Sequence, residues 1–188
     1  MNLIGDHNIS NATASIAVAL NLGINIDKIK KALKKFSGIQ RRFTKVFSKD
    51  KIEFYDDYAH HPTEIKAVIN SARQIYKNRK IICVFQPHRY SRVKSLKNEF
   101  ALSFKSSDSV VLCPVYPAGE KLKYKFDQND FSQLISKKSK TQVINIKNQR
   151  DLKNYFRMNL LDNEMVICMG AGTISNWIRE IGEELKWN

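Results

Sequence analysis

The side chains capable of chemistry are concentrated in a few short segments. Asp56-Asp57-Tyr58-Ala59-His60-His61-Pro62 sets two carboxylates, a phenol and two imidazoles side by side ahead of a proline. That mixture can accept, donate and shuttle protons near neutral pH. A plain structural reading stands beside it, since Asp before a helix is a common cap and His-His-Pro a common turn. Chelation is not expected, because adjacent rings such as His60 and His61 tend to point apart and a metal site generally wants three or more ligands.

Gln86-Pro87-His88-Arg89-Tyr90-Ser91-Arg92 gathers two guanidinium groups and an imidazole after a buried apolar run. Charge-assisted pairing of such a fork with a carboxylate or phosphate is worth about 1.5–3 kcal/mol, whereas an exposed salt bridge gives only about 0–1 kcal/mol. The segment therefore reads as an anion clamp. Gly170-Ala171-Gly172-Thr173 opens like a dinucleotide fingerprint, but Ser175 stands where its third glycine would fall and no acidic partner follows at the usual distance. A tight strand-to-helix turn is the better expectation. Near the start, Gly5-Asp6-His7-Asn8-Ile9-Ser10-Asn11 puts two carboxamides three residues apart. They could face an adenine edge, or Asn8 or Ser10 could simply cap a helix.

Periodicity supplies the elements that must position these groups. Helices are predicted over Ser10 to Leu22 and from Asp27 to the approach of Gly38, followed by a strand pair, Thr44 to Phe47 and Ile52 to Tyr55. A helix from Pro62 to Lys77 carries Ile65, Val68, Ile69, Ala72, Ile75 and Tyr76 on one stripe, with Pro62 suited to the first helical position. Strand-like and helix-like runs then alternate: Lys80–Phe85, Val93–Phe104, Val110–Val115, Phe131–Lys138, Gln142–Ile146, Asp151–Leu160, Met165–Met169 and Thr173–Leu185. This is the pattern of βαβ units, hence an α/β fold with a mainly parallel, doubly wound sheet, whose ligands bind at the carboxyl ends of the strands.

Composition excludes several classes. The 188 residues are 43% apolar and 27% charged, the balance of a folded globular chain rather than a disordered or fibrous one. No apolar run reaches the roughly 18 residues a membrane helix needs, and Met1 to Asn8 lacks a basic start, so a cytoplasmic address is expected. Cys83, Cys113 and Cys168 each lie in an apolar run with no C-x-x-C pair, and are expected as buried free thiols. The net charge of +14 would suit a polyanion. Its lysines are spread along helix faces without a recognition motif, however, and nucleic acid is not an expected partner.

In this order and spacing, the segments resemble the Mur ligase family. The likeness rests on Gly5-x-His7-Asn8-x-x-Asn11, Arg41-Arg42-Phe43, Asp56-Asp57-Tyr58-Ala59-His60-His61-Pro62-Thr63-Glu64, Pro87-His88-Arg89-Tyr90-Ser91-Arg92 and Met169-Gly170-Ala171-Gly172-Thr173, and extends over nearly the whole chain. Pro-His-Arg-Tyr-Ser-Arg is similar to the branch that joins L-alanine to UDP-N-acetylmuramate in peptidoglycan synthesis. The branch that recycles a murein tripeptide shares much of the His-His-Pro segment.

The resemblance implies a Rossmann-like C-terminal domain over residues 40–188, preceded by residues 1–39 as the helical tail of the family's central ATPase domain. It implies ATP-dependent amide synthesis through an acyl phosphate. His60 and His88 would be catalytic, Tyr58, Arg89 and Arg92 would bind the substrate, Asn8 and Asn11 would face adenine, Asp57 the ribose hydroxyls, and Arg42 the phosphates. The implied cofactors are ATP and Mg2+, with the Mg2+ ligands mainly in the central domain and none in this chain. Implied partners are L-alanine, UDP-N-acetylmuramate, and the N-terminal and central domains in cis or as a separate chain, with no membrane partner. No G-x-x-x-x-G-K-[ST] occurs, so activity is not expected from this chain alone. A fragment of the tripeptide-recycling ligase, or a non-catalytic nucleotide-binding module, stays open as an alternative.

Overall fold

The computed structural model describes residues 6–36, 38–121 and 126–186. The chain divides into two compact units, Met1–Gln40 and Arg41–Asn188.

The first unit is a pair of helices, α1 (Asp6–Asn21) and α2 (Ile26–Lys35). Between them Gly23 turns the chain at φ 74°, and Asn25 caps α2 by accepting the Asp27 N–H at 2.8 Å. Asp27 in the first turn and Lys34 and Lys35 in the last complement the helix dipole. The α1 helix starts earlier than its apolar spacing predicts, which puts Asn8 and Ser10 inside the helix rather than at its cap. Gly5 and the His7 side chain lie outside what is described.

The second unit is built on a six-stranded sheet in the order β1-β2-β6-β3-β4-β5. The strands are β1 (Thr44–Lys49), β2 (Ile52–Asp57), β3 (Lys80–Phe85), β4 (Ser109–Leu112), β5 (Gln142–Asn145) and β6 (Glu164–Met169). The β1–β2 hairpin is antiparallel, and the other neighbours are parallel. Its two-residue loop, Asp50-Lys51, has φ of 51° and 61°, the left-handed pair that matches strand twist in a tight hairpin.

Helices cover both faces. On one lie α3 (Pro62–Ile75), α4 (Tyr90–Ser95), α5 (Lys97–Leu102) and α6 (Gln128–Ser139), and on the other α7 (Gln149–Asn159) and α8 (Ile174–Lys186). The period-two alternation of a strand sends Ile81, Cys83 and Phe85 of β3 into the first core and Ile82 and Val84 into the second. β6 does the same with Met165, Ile167 and Met169 against Val166 and Cys168. Burial on both faces explains why these strands read as unbroken apolar runs. One expected element differs: the single helix predicted over Val93–Phe104 is two helices, α4 and α5, parted at Leu96 (φ −115°, ψ 25°).

All three thiols are free and buried, and burial pushes the Cys83 thiol up to about 12. A thiol-specific chromogenic reagent should titrate none of Cys83, Cys113 and Cys168 in the native chain and all of them in denaturant. Rapid labelling of any one under native conditions would contradict the packing described here.

Candidate active site

The last residues of three adjacent parallel strands stand in one row. Asp57 of β2 pairs with Met169 of β6, which pairs with Phe85 of β3. The ladder continues one step beyond the strands, where Gly170 N–H donates to the Asp57 carbonyl (3.2 Å) and Gln86 N–H to the Met169 carbonyl (2.9 Å). The loops after β2, β3 and β6 therefore leave the sheet together, at the place where β6 inserts between β2 and β3 and the connections diverge to opposite sides.

The β2 loop is locked by its own carboxylates. Asp57 is 3% exposed, and its two oxygens accept the Phe43 and Ala59 N–H groups, each at 2.7 Å. Burial pushes its carboxyl up to about 6, against the pull of those donors and of Arg42. Asp56 is fully buried and bonds Ser175 Oγ (2.5 Å) and Arg179 Nη2 (3.2 Å) of α8. Arg41, in the left-handed region at φ 60°, accepts the Tyr58 N–H on its carbonyl (2.7 Å) and donates from Nη2 to the Gly170 carbonyl (2.7 Å). Its guanidinium lies 4.6 Å from the Tyr58 ring centre, with that of Arg42 at 5.9 Å. Tyr58 is thus exposed, with two guanidinium groups against its ring.

The paired imidazoles separate in role. His61 is the N-cap of α3: its Nδ1 accepts the Thr63 N–H (3.3 Å), and Glu64 reaches back to the His61 N–H (3.1 Å) in a capping box. His60 points elsewhere. Its Nδ1 lies 2.9 Å from the Tyr58 carbonyl and its ring is 5.8 Å from that of His88 on the β3 loop. There Arg92 Nη1 meets His88 Nδ1 at 3.4 Å. Desolvation, then the Arg92, His60 and Arg89 charges, holds His88 below its ordinary value of 6.5. Arg89, exposed and at φ 70°, precedes α4 directly. The β2 and β3 segments singled out by sequence thus meet through His60 and His88, with the Tyr58 ring 5.2 Å from that of His60. Asn8 is half-buried and Asn11 exposed on α1, within the first unit.

The Gly170-Ala171-Gly172 turn is a close-packing device, as its spacing suggested. A Cβ on Gly172 would fall 2.5 Å from Gln86 Oε1 and 2.6 Å from Tyr116 Cγ, and Gly170 adopts φ 153°. Gln86, 3% exposed, pins the turn by donating to Thr173 Oγ1 (3.0 Å) and accepting the Ile174 N–H (3.0 Å).

Sequence reasoning missed a fourth loop, after β4. Tyr116 accepts the Arg89 N–H (2.9 Å), donates to the Pro87 carbonyl (2.8 Å) and stacks on His88 with ring centres 5.6 Å apart. Glu120 accepts both the Ser91 hydroxyl (2.5 Å) and the Ser91 N–H (3.1 Å). The available signal was the Pro117 and Gly119 turn chemistry directly after an apolar run, which marks another strand's carboxyl end.

Together, a doubly wound sheet and the cationic and imidazole groups gathered at its switch point define an α/β domain whose strand carboxyl ends, where such folds take their ligands, are lined by positive charge. The sequence pattern described as "Mur ligase, glutamate ligase domain" matches residues 41–172, and the chain belongs to the Mur ligase family. It is 52% identical over 181 residues to the UDP-N-acetylmuramate–L-alanine ligase of Pelagibacter ubique, a match covering 96% of this chain and 39% of that protein. With the ligase of the same description from Brachyspira hyodysenteriae the identity is 41% over 184 residues, covering 98% and 39%. The crystal structure of the UDP-N-acetylmuramate-alanine ligase of Thermotoga maritima superposes with TM-score 0.77 at 28% identity, over 98% of this chain and 39% of that one. A murein peptide ligase from Psychrobacter arcticus shares the fold, with TM-score 0.71 at 21% identity over 96% and 38%. The chain spans about two fifths of the length of the curated relatives it matches.

Two outcomes follow from this packing. Gly172→Ala forces the Tyr116 side chain or Gln86 to move, an overpacking cost of about 1–3 kcal/mol, read as a lower urea midpoint with displaced His88 resonances. An unchanged midpoint would mean the slot is looser than drawn. His88 has a folded-state pKa below its unfolded one, so the stability it carries is present above 6.5 and is lost as pH falls through the folded value. His88→Gln should accordingly lose less of its urea midpoint on acidification below 6.5 than the parent chain, and equal losses would rule out this linkage.

Proposed function

We propose that this chain is the C-terminal portion of an ATP-dependent ligase that joins L-alanine to UDP-N-acetylmuramate in peptidoglycan synthesis. The observation that carries the reading is the meeting of the Tyr58–His60 and His88–Arg92 segments, 5.8 Å apart ring to ring, in a chain 52% identical to a relative of that description. In this reading residues 40–188 are the C-terminal domain and residues 1–39 the tail of the central ATPase domain. Val18, Leu22 and Ile24 are exposed and line one apolar groove with Ala14 and Ala19, a surface suited to packing against the rest of such a domain. The setting is cytoplasmic. Among the described residues no helix is long and apolar enough to cross a membrane.

A zwitterionic amino acid asks for two opposite things. Its carboxylate needs cationic donors, which Arg89 and Arg92 present from one short segment, and its amine must be neutral to act as a nucleophile. His88, held below its ordinary pKa, and His60 supply imidazole nitrogens beside them, while Tyr58, its ring against the Arg41 and Arg42 guanidinium groups, closes the β2 side. Holding the amine against its electrophile is the larger contribution of such a site, because it replaces an encounter in solution by a fixed approach.

The residues present fit a nucleotide in part. The exposed Arg42 guanidinium suits a phosphate. Each Asp57 oxygen, after taking one backbone N–H, keeps a lone pair for a ribose hydroxyl. Asn8 and Asn11, in the first unit, are assigned to adenine by the family resemblance alone. Bound ATP would supply the phosphoryl group that activates the muramyl carboxylate. Among the described residues no group of three or more His, Cys, Asp or Glu side chains could hold a metal ion, and this reading assigns the Mg2+ ligands mainly to the central domain.

The test is complementation. Combined with a chain carrying the N-terminal and central domains of the Pelagibacter ubique relative, this chain should support ADP release dependent on UDP-N-acetylmuramate and L-alanine. Turnover with a murein tripeptide in place of L-alanine would replace this reading by the recycling one, and association without turnover would favour a binding module. In the active complex Arg92→Lys should raise the L-alanine KM about tenfold with the fold intact, since lysine keeps the charge and loses the fork. An unaltered KM would remove Arg92 from the clamp.

A further inference from the structure

The hydrogen-bond partners of His60 and His88 are of opposite chemical kinds, and this distinguishes two rings that spacing alone leaves equivalent. A carbonyl oxygen can only accept, so His60 Nδ1, 2.9 Å from the Tyr58 carbonyl, carries a proton. In the neutral ring the lone pair is then on Nε2, which takes no hydrogen bond among the described residues. A guanidinium can only donate, so His88 Nδ1, 3.4 Å from Arg92 Nη1, is the acceptor. The neutral His88 ring therefore bears its proton on Nε2.

We infer that the two imidazoles divide the amino-acid substrate between them: His60 Nε2 is the proton acceptor for its ammonium group, and His88 Nε2–H is a third donor to its carboxylate beside Arg89 and Arg92. This rests on the amino-acid reading of the site. In the step itself an ammonium N–H bond breaks, its electron pair stays on the amine nitrogen, and the proton bonds to His60 Nε2. The resulting imidazolium is balanced by Glu64, whose Oε2 is 3.5 Å from Nδ1. His88 is unsuited to that step, because Arg92 occupies its only lone pair and protonating it would place a cation against a guanidinium.

The charged and titratable groups on every side agree with the division. His60 faces Glu64 on α3, the Tyr58 ring at 5.2 Å, and His88. His88 faces Arg92, Arg89 and His60, with Tyr116 stacked on it and Glu120 beyond. The anion is next to the ring that must become positive, and the cations surround the ring that must stay neutral.

Long-range proton–nitrogen correlation spectra of the 15N-labelled chain should show His60 protonated at Nδ1 and His88 at Nε2. The reverse pattern in either ring overturns the proposal. In the complemented enzyme the amide variants mimic single tautomers. His88→Gln retains an N–H near the Nε2 position and should raise the L-alanine KM about tenfold less than His88→Asn, which does not. Equal damage from both would deny Nε2–H its role. His60→Gln should lower kcat and remove the acid limb of the kcat/KM profile while His88→Gln keeps it, and a retained limb in His60→Gln also overturns the proposal. If the parent complex turns over no amino acid, the functional reading fails by itself, and the spectra still decide the tautomers.

Discussion

The in-register ending of three parallel strands is the constraint from which the site follows. Asp57, Met169 and Phe85 form one row across β2, β6 and β3, and the backbone bonds from Gly170 and Gln86 extend it. A slip of one residue in β6 would turn Cys168 and Val166 to the other face and exchange the two cores, so the apolar alternation enforces the register that levels the loops. Chemistry drawn from distant parts of the chain is brought together by a hydrophobic rule.

Levelled loops would still be mobile without internal ties, and here the ties are backbone bonds to charged or polar side chains. Asp57 fixes the N–H groups of Phe43 and Ala59, Gln86 fixes the start of α8, and Glu120 fixes the start of α4. Each is a side chain from one loop satisfying backbone donors of another segment that would otherwise be stranded at a strand or helix end. Arg41, Phe43 and Arg89 hold positive φ as non-glycine residues, a conformation that persists only where the surroundings over-determine it. All three border the site. Arg89 in particular is held by the Tyr116 carbonyl immediately before the helix that carries Arg92.

The legible part of the molecule was that governed by local periodicity and by residue chemistry. β3 begins and ends where its apolar run does, Pro62 opens α3, and Gly170-Ala171-Gly172 is a packing turn because nothing after it completes a dinucleotide site. The break at Leu96 was invisible because Val93, Phe100, Ala101 and Phe104 pack into the same core, and an apolar stripe does not register a change of helix axis. The start of α1 was missed because its first three residues, Asp6, His7 and Asn8, are polar and read as the approach to a cap. Tyr116 and Glu120 were passed over for a different reason: their value lies in contact with His88 and Ser91, more than twenty positions earlier, and no local pattern encodes a partner at that range. His61 and His60 looked interchangeable in sequence, and only the capping geometry separates the ring that caps α3 from the one that faces His88.

The electrostatics of the site can be read from His88 itself. Desolvation is the largest cause of its lowered pKa; the charges of Arg92, His60 and Arg89 act in the same direction, and Glu120 opposes them. A positive field that disfavours an imidazolium is, at the same point in space, a field that attracts a carboxylate. Of the acidic groups nearby, Glu120 bonds Ser91 and Glu64 bonds the N-terminus of α3. Their bonds to backbone N–H groups keep them at the rim, where they set loop geometry without filling the centre. In the proposed reading the carboxylate of the amino acid meets this field, and its amine meets His60, 5.8 Å ring to ring from His88.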